Sequence, residues 1–323
     1  MVEKVLPKLY RIDVPLPKNP LKALNAYLVQ GDGRSLLIDT GFAREECRTA
    51  LMAGLRELEV ELSTLDVFVT HLHADHSGLT GDFMEYGSKI YMSRQDAEIL
   101  SNGIRWDEMA EYSRSNGFPV EESEQAITRH PAQRFGLPDG KVKFTHLADG
   151  DLLEYGDYRF RCVLTPGHTP AHICLYEPDK KLLVSGDHIL DHITPNISHW
   201  TDDRNPLQEY MESLEMVSRL DVDLVLPGHR NLFTNFRERI RQLQDHHNIR
   251  CREIVALLEA HGGMDGYTVA SRMDWDLSYK SWEQFPVSQK WFACGEAIAH
   301  LKYLESKGQV KKIGSTWQIA SKS

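Results

Sequence analysis

Cysteine is scarce in this sequence, and its distribution excludes two kinds of site. The chain of 323 residues contains five cysteines, an odd number, and none of them belongs to a Cys-x-x-Cys pair. Disulfide frameworks use paired cysteines, and thiolate zinc clusters use closely spaced ones. We therefore expect these cysteines to be small buried side chains.

Long apolar runs are also missing. No stretch approaches the roughly eighteen consecutive apolar residues of a membrane-spanning helix. The N-terminal segment lacks the apolar stretch and the cleavage site of a secretory signal. Hydrophobic residues make up 41% of the chain and charged residues 26%, which is an ordinary globular balance. The sequence thus predicts a cytoplasmic protein without a membrane segment.

Positive charge is in deficit over most of the chain. The net charge is −10, composed of −12 over residues 1–245 and +2 over residues 246–323. An acidic chain does not attract nucleic acid non-specifically, and +2 is too small to indicate a nucleic-acid site. The asymmetry predicts two domains, a larger one at 1–245 and a small one at 246–323.

Short strands alternate with helices through the first 245 residues, which is typical of an α/β fold. Strands are predicted at 25–30, 35–39, 66–70, 89–92, 143–146, 151–155, 158–164, 173–176, 181–185 and 223–226, and helices at 44–58 and 206–220. Residues from about 96 to 140 interrupt the alternation. We predict a helical insertion there, of the kind that often covers an active site; a plain surface excursion is the alternative.

The last 78 residues have a different character. Helices are predicted at 249–260 and 295–306, each ended by glycine. A hairpin is predicted at 309–313 and 316–320, around Gly314-Ser315. Helices followed by a two-stranded wing predict a winged-helix domain.

The segment THLHADH, residues 70–76, contains four strong metal ligands in a stretch of six residues. The segment follows an apolar strand directly, so the sheet fixes where it begins. Its ligands are imidazoles and a carboxylate, which suit Zn²⁺ and also Fe or Mn. They are His71, His73, Asp75 and His76. So many ligands on one loop can hardly serve one tetrahedral ion, so the segment predicts two metals with ligands from other loops.

Three more ligand-type residues follow predicted strands. His168 lies in TPGHTP, Asp187 in SGD and His229 in PGH, and each comes directly after a glycine. Glycine lets the backbone approach a crowded centre. Any of these residues alone could be a turn residue or a polar group of the core. The full series in this order is specific enough to predict a metal site.

These motifs together resemble the metallo-β-lactamase superfamily. The likeness runs from about residue 5 to 240, and the matching stretches are LIDTG (37–41), THLHADH (70–76), TPGHTP (165–170), SGD (185–187) and PGH (227–229). The resemblance implies an αββα sandwich, in which two sheets pack between helices and the site lies at one edge. That architecture agrees with the alternation of strands and helices.

The resemblance also implies how the ligands divide. His71, His73 and His168 would hold one metal, Asp75, His76 and His229 the other, and Asp187 would bridge both. Asp39 of LIDTG would hold the ligand loop through hydrogen bonds; its alternative role is to cap the next turn.

Two positions narrow the chemistry within the superfamily. His73 stands where the redox members usually carry Glu, which favours hydrolysis, and Asp187 stands where one β-lactamase branch has Cys. Ala171 replaces a glycine of the common GHTPGH and removes no ligand.

The expected reaction is hydrolysis by a hydroxide that bridges two divalent ions, most simply Zn²⁺. Asp75 is the candidate that passes the proton to the leaving group. Small ester-like molecules, thioesters or lactones, are the expected substrates. Three alternatives stay open: an RNA phosphodiester nuclease, a mono-iron sulfur dioxygenase and a non-catalytic regulator.

Further polar and aromatic residues could contact substrate or could be structural. His188, His192, Asn196, His199, Tyr210 and Arg230 are the polar candidates; Trp106, Met109 and Tyr112 could wall an apolar pocket. The tail EAIAHLKYLESKGQV (296–310) resembles the winged-helix extension of one branch of the superfamily. A module for packing or homodimerisation is favoured over nucleic-acid binding, because a DNA-reading wing would carry more cations than Lys307, Lys311 and Lys312.

Overall fold

The computed structural model describes residues 1–137, 142–276 and 279–320. The end of the predicted insertion, at 138–140, and the last three residues of the predicted C-terminal domain lie outside the described residues. The strands are β1 (Val2–Leu6), β2 (Leu9–Pro15), β3 (Ala23–Val29), β4 (Ser35–Ile38), β5 (Leu65–Phe68), β6 (Ile90–Ser93), β7 (Phe144–Leu147), β8 (Leu152–Tyr155), β9 (Tyr158–Leu164), β10 (Ile173–Glu177), β11 (Leu182–Gly186), β12 (Leu224–Pro227), β13 (Val310–Ile313) and β14 (Thr316–Ile319).

Helices connect and cover these strands. They are α1 (Glu45–Glu57), α2 (Ala74–Ser77), α3 (Arg94–Asn102), α4 (Trp106–Ser115), α5 (Val120–Arg129), α6 (Pro131–Phe135), α7 (Pro206–Val217), α8 (Phe236–His261), α9 (Gly266–Arg272) and α10 (Val287–Ser306). Short 3₁₀ turns lie at Leu62–Thr64, Thr80–Tyr86 and Trp282–Gln284. None of the helices in the described part of the chain is long and apolar enough to cross a membrane.

Two sheets form the centre of the fold. The first runs from β1 to β7 in chain order, and the second has the order β12-β11-β10-β9-β8. Their facing surfaces bury one apolar layer, which includes Tyr27, Phe68, Phe160 and Leu175. Because each sheet also has an apolar outer face covered by helices, the architecture is the αββα sandwich. The fold class predicted from the sequence is confirmed.

The strand directions bring several loops to one edge. β10 is antiparallel to both β9 and β11, and β11 is parallel to β12, so β9, β11 and β12 point the same way. Loops that follow these strands therefore leave the second sheet at the same edge. The two sheets are joined there, because the Asn25 side chain and the Tyr27 hydroxyl both donate to the Pro227 carbonyl, at 3.0 and 2.7 Å.

The predicted insertion contains helices α3 to α6 in its described part, between β6 and β7. Helix α6 contacts α2, and α5 contacts α10. The Ala43 N–H donates to the Phe135 carbonyl at 2.9 Å, which fixes the end of α6 near the ligand loop. The insertion is thus held between the first sheet and the C-terminal helix.

The C-terminal part shares its core with the second sheet. Tyr210 and Leu214 of α7 belong to the same buried cluster as Ile298 and Leu301 of α10. Helix α8 is continuous from Phe236 to His261, so a boundary between residues 245 and 246 falls inside a helix rather than in a linker. A separate winged-helix domain at 246–323 stays a prediction, although β13 and β14 do form the predicted hairpin.

Some elements differ from the sequence-based expectation. Strands β1 and β2 were not predicted, and α10 begins at Val287 rather than at residue 295. Helix α8 begins thirteen residues before the predicted start at 249, because Phe236, Ile240 and Leu243 form an apolar stripe among many charged residues.

Candidate metal centre

The loop between β5 and the end of α2 turns its histidines toward one point. His71 Nε2 and His73 Nδ1 lie 3.1 Å apart. The ring of His168, from the loop after β9, lies 4.9 Å from that of His71 and 4.5 Å from that of His73, between ring centres. Ligand atoms of these three side chains can reach one ion.

A second group lies beside the first. His229, from the loop after β12, places its Nε2 atom 3.3 Å from His76 Nε2 and 3.4 Å from Asp75 Oδ2. His76 and His229 are fully buried, and Asp75 keeps 13% of its side-chain surface exposed. This group can also converge on one ion.

Asp187 lies between the two groups. Its carboxylate is 3.5 Å from His76 Nε2 and from His229 Nε2, and 3.7 Å from His168 Nε2. A tetrahedral ion with bonds of about 2.1 Å holds its ligands about 3.4 Å apart. The separations within and between the groups match that spacing, so the carboxylate can contact an ion on either side.

Hydrogen bonds on the far side of the ring fix three of the histidines. Nδ1 of His76 contacts Asp39 Oδ2 at 2.7 Å, and Nδ1 of His229 lies 2.7 Å from the Ala23 carbonyl. Nδ1 of His168 lies 2.8 Å from the Asn196 carbonyl. A donating Nδ1–H leaves Nε2 as the lone-pair nitrogen that a metal needs.

Unsatisfied polar atoms mark the place where a cation fits. His168 Nε2 and Asp187 Oδ1 are buried and have no hydrogen-bond partner among the described residues. Buried polar atoms normally have partners. A borderline divalent ion such as Zn²⁺ suits this mixture of imidazole and carboxylate donors.

The electrostatics of the two groups differ. Burial, reinforced by neighbouring histidines, lowers the pKa of His71 far below its usual range and that of His73 to about 3. Burial alone would also lower the pKa of His76 and His229, but the carboxylates around them raise it, for His229 to about 10. The second group therefore contains more negative charge, which a divalent cation would balance.

Asp39 supports the ligand loop from the adjacent strand end. Its carboxylate accepts from the Thr70 N–H at 2.8 Å and from the Thr70 hydroxyl, besides contacting His76. Asp39 has a φ of +60°, the left-handed region that only a few residue types adopt readily. Its predicted role of holding the loop through hydrogen bonds agrees with these contacts.

Asp96 joins the loops of two different strands, and sequence reasoning missed this function. Its buried carboxylate accepts from the Leu72 N–H at 3.1 Å, the Thr169 hydroxyl at 2.7 Å and the Ala171 N–H at 3.0 Å. Burial raises the pKa of Asp96 to about 6. Ser93 and Asp96 have the three-residue spacing of a capping pair, but the Ser93 side chain makes no capping hydrogen bond.

His172 is a second residue that the sequence analysis missed. It is fully buried, its Nδ1 lies 2.8 Å from the Thr165 hydroxyl, and its Nε2 accepts from the Asp187 N–H at 3.2 Å. It therefore positions the backbone of the central carboxylate. A second histidine four residues after His168 was the available signal.

Two glycines permit the close approach of the loops. A Cβ atom on Gly228 would lie 2.5 Å from Asp187 Oδ1 and 2.7 Å from His76 Cε1. Gly186 has a φ of +46°, and a Cβ there would lie 2.5 Å from His172 Nε2. The expectation that these glycines make room at a crowded centre is met at both positions.

The other polar candidates differ in where the structure places them. His188, His199 and Tyr210 are buried, and the Tyr210 hydroxyl donates to the His188 carbonyl at 2.9 Å. His192 has 85% of its side chain exposed, and Arg230 donates to the Pro20 carbonyl. Asn196 is the one that contacts a ligand side chain, through its backbone carbonyl to His168.

The aromatic candidates of the insertion lie in two different places. The Trp106 ring lies 4.9 Å from the ring of His130, between ring centres. Met109 and Tyr112 instead pack on the buried cluster of the second sheet and the C-terminal helices. Tyr112 donates from its hydroxyl to Asp202 at 3.2 Å. Trp106 therefore does not share one pocket with Met109 and Tyr112.

Comparison with known families gives a match over most of the chain. The family model described as "Metallo-beta-lactamase superfamily" matches residues 21–229. That span contains every residue of the candidate centre.

Individual relatives agree with the family match. The acyl-coenzyme A thioesterase MBLAC2 of Homo sapiens is 28% identical, over 65% of this chain and 74% of that protein. An atrochrysone carboxyl ACP thioesterase of Aspergillus fumigatus is 24% identical, over 79% of this chain and 69% of that protein. Among solved structures, a metallo-beta-lactamase family protein from Thermus thermophilus has a TM-score of 0.80 at 29% identity, covering 98% of this chain and 100% of its own.

Proposed function

This chain belongs to the metallo-beta-lactamase superfamily and is a hydrolase of that superfamily, and we propose that it cleaves acyl thioesters at a pair of divalent metal ions. The observation that carries the proposal is the convergence of the predicted ligands into two adjoining groups with the Asp187 carboxylate between them.

The proposed ligands divide as the geometry groups them. One ion would be held by His71, His73 and His168, and the other by Asp75, His76 and His229. Asp187 would be available to both, because its oxygens lie within 3.7 Å of histidine nitrogens from each group. The metals are Zn²⁺ in the simplest case, with Fe or Mn compatible with the same donors.

When bound, two such ions would supply a water whose pKa is lowered to about 7 and would polarise the substrate carbonyl. The protein's own side chains do the rest. Asp75, whose side chain keeps 13% of its surface exposed, accepts the proton of the attacking water and returns it to the leaving thiolate. Asp39 and Asp96 hold the ligand loops in place throughout.

Thioesters are favoured over other ester-like substrates by the relatives. The proteins named as thioesterases act on two different carriers, coenzyme A and an acyl carrier protein. Their common element is the acyl thioester rather than the carrier. We therefore propose that the acyl thioester is the part of the substrate that this centre recognises. Lactones remain the second candidate because their ring ester presents the same carbonyl.

The test combines metal content with a substrate panel. Purified full-length protein is analysed for bound metals, then assayed with acetyl-coenzyme A, octanoyl-coenzyme A, a lactone and single-stranded RNA. We expect two metal ions per chain and hydrolysis of the thioesters. A chelator should abolish activity, and added Zn²⁺ should restore it.

A matched pair of variants makes the test specific. His168→Ala removes a proposed ligand and should lower activity by about a hundredfold or more. His192→Ala removes a histidine that is 85% exposed and should leave activity unchanged. Cleavage of RNA but not thioesters would favour the nuclease alternative, and one iron per chain with oxidation of a persulfide would favour the dioxygenase. A protein that binds no metal would refute the proposal.

The partner and location predicted from the sequence remain proposals as well. A homodimer formed through residues 246–323 would show twice the chain's mass of 37.0 kDa in light scattering. A monomer at every concentration tested would refute it. We also propose that the protein does not bind nucleic acid and that it is located in the cytoplasm.

A further inference from the structure

We propose that Trp106, His130 and Phe292 form the wall of an acyl-chain pocket over the metal centre. The occupant is an unbranched apolar acyl chain of the thioester substrate, so this inference rests on the proposed function. It assigns a binding site to residues of the insertion and of the C-terminal helix. None of the three rings belongs to the ligand loops.

The three rings form a continuous aromatic surface. The His130 ring lies 4.9 Å from that of Trp106 and 5.5 Å from that of Phe292, between ring centres, with interplanar angles of 56° and 48°. All three side chains are only partly buried. His130 is held in place because its Nδ1 atom accepts from the Ala132 N–H at the start of α6, at 3.2 Å.

One end of this wall is fixed to the loop that carries Asp75. His130 immediately precedes α6, and α6 packs against α2, the helix that contains Asp75. The charge of Asp75 also acts on the His130 ring, since it opposes the burial that lowers the pKa of His130 to about 4. The ring is therefore uncharged near neutral pH.

The other end is fixed to the loop that carries His168. The Phe292 carbonyl accepts from the side-chain amide of Asn196 at 3.5 Å, and the Asn196 carbonyl lies 2.8 Å from His168 Nδ1. A partly buried ion pair of Lys290 with Glu122, at 2.9 Å, joins α10 to the insertion. The wall thus spans from one ligand group to the other.

The ligands that keep some exposure are attached to the same elements as this wall. His73, Asp75 and His168 are partly exposed, whereas His71, His76 and His229 are completely buried. Substrate therefore approaches past the three exposed ligands, of which Asp75 lies on α2 beside α6. An acyl chain attached to a thioester at the centre would lie against the aromatic rings.

The expected signature is a dependence on acyl length. Each CH₂ group that leaves water for an apolar wall strengthens binding by about three- to fourfold. For thioesters of N-acetylcysteamine with acetyl, butyryl, hexanoyl and octanoyl groups, kcat/KM should rise with length until the wall is covered. A branched or charged acyl group should not benefit to the same extent.

Variants of the wall should change that dependence. Trp106→Ala and Phe292→Ala should flatten the rise of kcat/KM with acyl length, so that the loss is greatest for octanoyl. Tyr86→Ala, which removes an aromatic residue that is 42% exposed and makes no ring contact with the wall, should keep the wild-type slope. An equal loss at every length would overturn the proposal, because it would indicate general damage rather than a lost acyl contact.

A binding measurement separates this inference from the proposed activity. S-octyl-N-acetylcysteamine is a thioether that cannot be hydrolysed, and its affinity for the metal-loaded full chain can be measured by calorimetry. We expect about a tenfold weaker affinity in Trp106→Ala and Phe292→Ala than in wild type. If the probe binds in this way but no thioester is cleaved, the proposed function fails and the pocket stands. If the variants bind the probe like wild type, the pocket is refuted.

Discussion

Asn196 donates its side-chain amide to Glu296 Oε2 across 3.1 Å, while its backbone carbonyl lies 2.8 Å from His168 Nδ1. These contacts link the proposed metal ligand His168 to α10, although Glu296 lies 100 residues after Asn196 in the sequence. The C-terminal part of the chain is therefore positioned to support the metal centre.

Replacement of Glu296 should weaken that support. Glu296→Ala leaves the Asn196 amide without its carboxylate partner, which typically costs about 1–3 kcal/mol of stability for a buried group. We expect lower thermal stability and weaker metal binding, measured by calorimetry and by competition with a chelator. Glu296→Gln keeps an acceptor oxygen and should restore most of both. Glu305→Ala, which removes a surface ion pair with Lys302 on the same helix, should change neither. Equal behaviour of the Glu296 and Glu305 variants would contradict this role.

Asp96 should matter to metal binding although it contacts no ligand side chain. Asp96→Ala removes the acceptor for Leu72 and Ala171, which lie on the loops of His71 and His168. Residues that orient ligands typically change metal affinity by about 10–100-fold. Elemental analysis after dialysis against a weak chelator should show lost metal. Glu98→Ala on the same helix, whose side chain is 55% exposed, is the control. Full metal retention by Asp96→Ala would show that the carboxylate is dispensable.

Asp75 should be needed for turnover more than for folding. Asp75→Asn keeps the shape of the side chain but cannot accept a proton, so kcat should fall by about 100-fold or more. The thermal unfolding midpoint should stay close to that of wild type, because the side chain lies partly exposed at the mouth of the centre. A fully active variant would refute the proton-transfer role.

The pH dependence of stability should contain a contribution from Asp66, at the opposite end of β5 from the ligands. Burial alone would raise its pKa, but hydrogen bonds from Arg34, the Lys89 N–H and Tyr155 hold it below its ordinary value of 3.8. The stabilisation is therefore present above pH 3.8 and is lost as the pH falls through the lower, folded-state pKa.

The measurement compares wild type with Asp66→Asn by urea unfolding across the acid range. At pH 7 the variant should be less stable by on the order of 2 kcal/mol, since it loses charged hydrogen bonds. The difference should shrink as the pH falls below 3.8. A difference that stays constant down to pH 2 would contradict the assignment.

Truncation should show whether residues 1–245 fold alone. Removing 246–323 cuts α8 in its middle and exposes Tyr210 and Leu214, which pack in one cluster with Ile298 and Leu301. We expect the truncated chain to be aggregated or to lack a cooperative unfolding transition, measured by circular dichroism. A stable, metal-binding fragment would show that the boundary predicted from charge is a domain boundary.

The sequence was sufficient for the ligand set because its signals are local. His71, His73, Asp75 and His76 lie in one short segment, and strand ends were visible as apolar runs followed by glycine and a ligand. For most strands of both sheets, the predicted first and last residues lie within one or two positions of the observed ones. β1 and β2 were missed because their apolar pattern is interrupted by charged residues in both strands.

What only the tertiary structure decided depends on contacts between distant segments. The importance of Asp96 and His172 comes from the loops that meet at their side chains. Glu296 and Phe292 contact Asn196, whose carbonyl lies against His168, because α10 packs on the same core as α7. The pattern within one sequence segment determines which side chains can bind a metal. The packing of distant segments determines which other residues hold those ligands in place and which residues line the space beside the metal centre.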